Sequence, residues 1–102
     1  MIVSMLDAAT LTLTFPYSQA TIAGVKRCGA TWHASSKTWR MELWYAPILI
    51  REMGAQVELQ PDAVAPVMDE CEKGMRSTLR LIEANHIDTP VIQEWRLRHG
   101  LI

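Results

Sequence analysis

No apolar run in this chain approaches the ~20 residues that a membrane-spanning helix needs, so no membrane association is expected. The opening Met1–Leu6 is apolar but short, lacks a basic flank and runs into Asp7, which makes it a poor signal peptide. Cysteine is scarce: Cys28 and Cys71 lie far apart with no CxxC neighbour. With nothing to suggest secretion they read as unpaired thiols of a cytoplasmic protein, although a disulfide between them stays open. The three histidines, His33, His86 and His99, fall at no metal-ligand spacing. The five glycines build neither a GxGxxG nor a GxxxxGK phosphate loop. No cofactor is expected. Strong charge is also missing. The net charge is −1, whereas a dedicated nucleic-acid binder is usually basic. The small imbalance is uneven, however. Residues 8–60 hold five basic and three acidic side chains, and residues 61–102 hold five basic and seven acidic ones.

What the chain has is apolar and aromatic material, 49% hydrophobic residues over 102 positions, enough for one domain with one core. The stretch Ala30–Leu43, ATWHASSKTWRMEL, organises the rest. Two runs, each with a tryptophan (Trp32, Trp39), flank the small polar segment Ala34-Ser35-Ser36-Lys37 and read as a β-hairpin. In its second arm Trp39, Met41 and Leu43 alternate with Thr38, Arg40 and Glu42, so one face is apolar. Upstream, Leu11, Leu13 and Phe15 alternate with threonines in a strand that Pro16 ends. Ser18 is placed to cap a helix over Gln19–Cys28 that buries Ile22, Val25 and Ala23, with Lys26 and Arg27 in its last turn and Gly29 closing it. Downstream, Pro47 sets the start of a helix over Ala46–Met53 with Ile48, Leu49 and Met53 inward; Gly54 ends it, and a short strand over Ala55–Gln60 turns Val57 and Leu59 inward.

This order is strand, helix, strand, strand, helix, strand. The expected fold class is α+β, a small antiparallel sheet in βαββαβ order, a ferredoxin-like split βαβ, followed by two C-terminal helices. Residues 61–66, with two prolines, read as a linker or turn. A helix from Pro66 or Val67 to Asn85 carries the stripe Met68, Cys71, Met75, Leu79 and Ile82, with Gly74 as its weak point. Thr89-Pro90 starts a last helix to His99 bearing Val91, Ile92 and Trp95, which Gly100 stops and on which Leu101 folds back. Residues 1–60 then form one module and 61–102 a helical pair that packs on it or mediates a homodimer, one domain overall.

Little here suggests catalysis. Cys28 is close in sequence to His33, but no third group orients the pair, and a packed helix-end cysteine is the simpler reading. Asp69, Glu70 and Glu72 suit a helix start. No residue is assigned a catalytic or metal-binding role, and the chain is read as a non-enzyme.

The hairpin and its flanks do resemble something. TFPY, a short helix, ATWHASSKTWRMEL and a second helix resemble the HARP domain of annealing helicases and related short modules of phage and bacterial helicase-like proteins. Phe15, Tyr17, Trp32, Lys37, Trp39 and Leu43 carry the resemblance, over about residues 11–59. The family theme often has an aspartate where this chain has His33, and no motor domain fits in 102 residues. The resemblance implies binding to branched or single-stranded DNA, in a phage or mobile-element setting, without ATP hydrolysis. Lys26, Arg27, His33, Lys37 and Arg40 are the candidate nucleic-acid contacts, with exposed Tyr17 or Trp44 available for base stacking; Trp32 and Trp39 read as core anchors. The alternative is a small protein-binding inhibitor or adaptor that blocks a nucleic-acid machine, as anti-CRISPR proteins do, using Trp44, Trp95, Arg96 and Arg98.

Overall fold

The computed structural model describes residues 1–85 and 90–98. It is an α+β fold of five strands and five helices among those residues. The strands are β1 (Ile2–Asp7), β2 (Thr10–Thr14), β3 (Thr31–His33), β4 (Thr38–Glu42) and β5 (Glu58–Leu59); the helices are α1 (Gln19–Arg27), α2 (Ala46–Met53), α3 (Pro61–Gly74), α4 (Thr78–Asn85) and α5 (Pro90–Arg98). The sheet runs β3-β4-β2-β1-β5.

Two expectations are corrected here. The sheet is mixed, because β1 pairs antiparallel with β2 and parallel with β5. The expected βαββαβ order also lacks a strand. The stretch Met1–Leu6, which reads as a poor signal peptide, holds most of β1, which separates β2 from β5. Its period-two signal is blurred because Ile2 and Leu6 are apolar yet exposed, while only Val3 is buried. A register shift between Met5 and Asp7 bends its end.

Register explains which face is covered. Val3 pairs with Leu13 and Leu59, Leu11 with Met41, and Leu13 with Trp39. All but Trp39 are buried, on the face that carries the helices. The opposite face presents Ser4, Thr12, Thr14, Thr38 and Arg40, none of them buried. This is the alternation of an antiparallel sheet packed on one side only.

Local chemistry sets the element ends. The Thr21 backbone N–H donates to Ser18 Oγ at 3.3 Å, so Ser18 caps α1 as its sequence position implies. Gly29 has φ +93°, a left-handed conformation that costs glycine nothing, and the Tyr45 ring lies 3.1 Å from where a Cβ would sit. Leu43 leaves the hairpin for a 3₁₀ turn, Leu43–Tyr45, that leads into α2.

The C-terminal part departs from the expected linker and pair. Pro61 is at the first turn of α3, which includes Pro66, so residues 61–66 are helix rather than linker. The expected long helix breaks at Gly74, and Thr78 starts α4 with its Oγ1 donating to the Met75 carbonyl at 2.6 Å. There are thus three helices where two were expected. The stripe of Met68, Cys71, Leu79 and Ile82 is buried within the chain, which leaves no support for a homodimer built on it. The Thr89 cap, the Gly100 stop and the Leu101 fold-back lie outside the described residues. Among the described residues, no helix is long and apolar enough to cross a membrane.

Candidate functional site

The hairpin β3–β4 forms one end of the sheet, and α1 crosses its covered face. Between them opens a cavity of about 760 Å³. Its walls follow from the pairing register. Trp32 is opposite Trp39, so both rings leave the same face, and Leu13 beside Trp39 forms the floor. Phe15, just past the end of β2, stacks on Trp39 with centroids 6.3 Å apart and planes 18° from parallel. Trp32 leans on Trp39 at 5.4 Å and 55°. Helix α1 closes the cavity with Ile22 and Lys26, and the Lys26 Nζ sits 5.9 Å from the centre of a Trp39 ring. Such a placement is a cation–π contact, and it orients the ammonium toward the aromatic wall.

Exposure separates the aromatic residues. Trp39 is partly buried and bridges wall and core. Trp32 is 50% exposed and Tyr17 81% exposed, both at the cavity rim. Lys37 reaches the same cavity from the hairpin turn. It is the one non-glycine residue with positive φ, +55°, among those described. A left-handed residue after the turn is a common hairpin device, and glycine is its usual occupant. No lining residue carries a carboxylate. The cavity is therefore aromatic and cationic, suited to a planar, anionic ligand.

The expected cation cluster is divided. Lys26 and Lys37 line the cavity. Arg40 and His33 are on the opposite face, in a smaller pocket of about 350 Å³ that also includes Asp7 and Glu42. Arg40 donates to Ser36 Oγ at 3.4 Å, and its Nε is buried without a hydrogen-bond partner. Asp7 in that pocket has its carboxyl held below the usual range, chiefly by the Ala9 backbone N–H. His33 Nε2 is 3.4 Å from Thr31 Oγ1. Arg27 is exposed and lines neither pocket.

The candidate protein-contact residues also divide. Trp95 has no exposed surface, and its Nε1 donates to Asp69 Oδ1 at 2.7 Å. It is a core anchor, so it offers no contact patch. Arg96 is held in an ion pair with Glu83 at 3.1 Å, which ties α5 to α4. Arg98 is exposed. Trp44 is 59% exposed, stacks on Tyr45 at 4.0 Å and donates its indole N–H to the Glu42 carboxylate.

Cys28 is nearly inaccessible, and burial pushes its thiol up, with the Glu52 carboxylate adding to the effect. A nucleophilic cysteine needs the opposite shift. No group of three or more His, Cys, Asp or Glu that could hold a metal ion occurs among the described residues. No protein-family model, curated protein or solved structure matches the chain.

The residues that candidate-site reasoning missed are the wall itself. In the sequence Phe15, Trp32 and Trp39 read as resemblance markers or core anchors. The signal was present in the alternation, which sends Trp32 and Trp39 to one face. What it did not contain was that β3 is an edge strand, where an inward-facing tryptophan stays half open.

Proposed function

We propose that this protein is a non-catalytic nucleic-acid-binding protein that engages single-stranded or branched DNA through the hairpin cavity. The observation that carries the reading is the Phe15–Trp39–Trp32 wall flanked by Lys26 and Lys37, with no carboxylate among the lining residues. Aromatic faces stack on bases of any sequence, and lysines neutralise phosphates. The charge of the lining also argues for an anion over the other ligand class that aromatic walls favour, a quaternary ammonium, which two lysines would repel. The resemblance to the HARP domain points the same way, since five of its six marker residues line this cavity.

The test is fluorescence anisotropy with labelled single-stranded, duplex and forked DNA at low and moderate salt. Salt-sensitive binding that prefers the single-stranded and forked probes supports the reading. The double variant Lys26→Ala, Lys37→Ala should weaken it far more than Arg40→Ala, because Arg40 is on the other face. Absence of binding at low salt rejects it. The protein-binding alternative rests on exposed Trp44; a partner held through that residue would be lost with Trp44→Ala and would be nearly indifferent to salt.

A further inference from the structure

We infer that the cavity is a nucleotide pocket rather than a section of a longer track: it seats one or two unpaired nucleotides of a strand and rejects a paired base. The inference rests on the nucleic-acid reading above and gives that site its ligand. Four observations carry it.

The first is size. A cavity of about 760 Å³ lies within the range of sites that enclose small molecules, about 300–1,000 Å³. The second is the state of the stacking surface. Trp32 turns one side to Trp39 and leaves the rest half open, with Tyr17 exposed across the rim. A base can cover the open side only if its own face is free. Inside a duplex both faces are already covered by neighbouring pairs, so only an unstacked base or the outer face of a duplex end qualifies.

The third is the placement of the cations. The cavity has two lysines, and the other proposed contacts of the hairpin, Arg40 and His33, are behind the sheet. A track would need them in line. Two lysines serve about two phosphates.

The fourth is Lys37. Its φ of +55° is one that side chains other than glycine adopt at a cost. Glycine would make the same turn more cheaply, and would remove an ammonium from the cavity mouth. Retained strain at a ligand-facing position is the pattern expected where binding matters more than stability.

The experiment titrates the protein with thymidine monophosphate, its dinucleotide, its tetranucleotide, a long thymidylate strand and a duplex long enough that its ends are a negligible share of its bases, following intrinsic tryptophan fluorescence and heat. Affinity should rise from mono- to dinucleotide and then level off. The slope of log K against log salt should be about −1.4, two phosphates at about 0.7 each. The duplex should bind at least about tenfold more weakly. Trp32→Ala should weaken the dinucleotide by about 5- to 150-fold, the loss of one stacked base, and Trp32→Phe should recover part of it. Lys37→Gly should cut the salt slope by about 0.7 while raising the melting temperature, a combination that a merely structural lysine would not give. Affinity that climbs steadily with strand length, or duplex binding as tight as single-strand binding, overturns the pocket and leaves the nucleic-acid reading standing. Failure of every probe, the long strand included, overturns both.

Discussion

Two tryptophans at opposite ends of the fold show how the same residue serves two purposes. Trp95 on α5 has no exposed surface, and its one polar atom is bonded to Asp69. Trp32 on edge strand β3 is half exposed and leans on a second tryptophan in front of an open cavity. The helical end buries Met68, Cys71, Ile82, Ile92 and Trp95, and leaves Leu81 and Leu97 as its exposed large apolar side chains among the described residues. The hairpin end keeps aromatic surface in contact with solvent and holds a strained lysine beside it. On the proposed function, the helical end contributes buried packing and the hairpin end the exposed aromatic surface that a ligand would meet.

The contrast breaks first at Trp95. Trp95→Ala should destabilise the protein by ~3–5 kcal/mol, the usual range for removing a buried indole, with ligand affinity unchanged in the remaining folded fraction; denaturant melts and a titration at low temperature read the two effects. Asp69→Ala, which removes the carboxylate that accepts the buried indole N–H, should cost about 1–3 kcal/mol by the same melts. At the other end the order of effects reverses. Lys37→Gly should stabilise the fold by about 1 kcal/mol through relief of the left-handed conformation, and Trp32→Ala should move stability by less than about 1 kcal/mol, although both impair binding.

The smallest effect at neutral pH comes from the buried thiols. Burial raises the Cys28 and Cys71 values above the ordinary 9.0, with the Thr78 hydroxyl opposing the shift at Cys71. Thiols whose folded values are raised contribute their full stability below that ordinary value and lose it as pH rises through the folded values. Stability measured by urea melts should therefore fall on the alkaline side of about pH 9, and less steeply in Cys71→Ala. Thiol reagents should leave both residues unmodified in the native protein.

Much of the local structure was legible from residues. Ser18, Pro47 and Gly29 mark helix ends because their backbone and capping preferences act locally, and the alternation in Thr38–Glu42 reports its buried face directly. Sheet order was not, because pairing is non-local. Nothing within Met1–Asp7 says that it runs between β2 and β5, and two exposed apolar residues hide its alternation. Proline misled in the opposite direction at residues 61–66, where Pro61 occupies a position that tolerates it and the burial of Ala63, Val64 and Val67 outweighs the hydrogen bond lost at Pro66. At the site, composition identified the cations but not their sides. Lys37 and Arg40 are three positions apart, yet they serve different faces.

The central claim is that recognition lies at the hairpin end, and the four tryptophans report on it directly. Indole N–H resonances of nitrogen-15-labelled protein, assigned by single Trp→Phe variants, should be followed during titration with a short thymidylate strand. The account predicts that the Trp32 and Trp39 signals shift with a common dissociation constant while that of Trp95 stays fixed. Shifts confined to Trp44, or no shift in Trp32 and Trp39 at saturating strand, would contradict it.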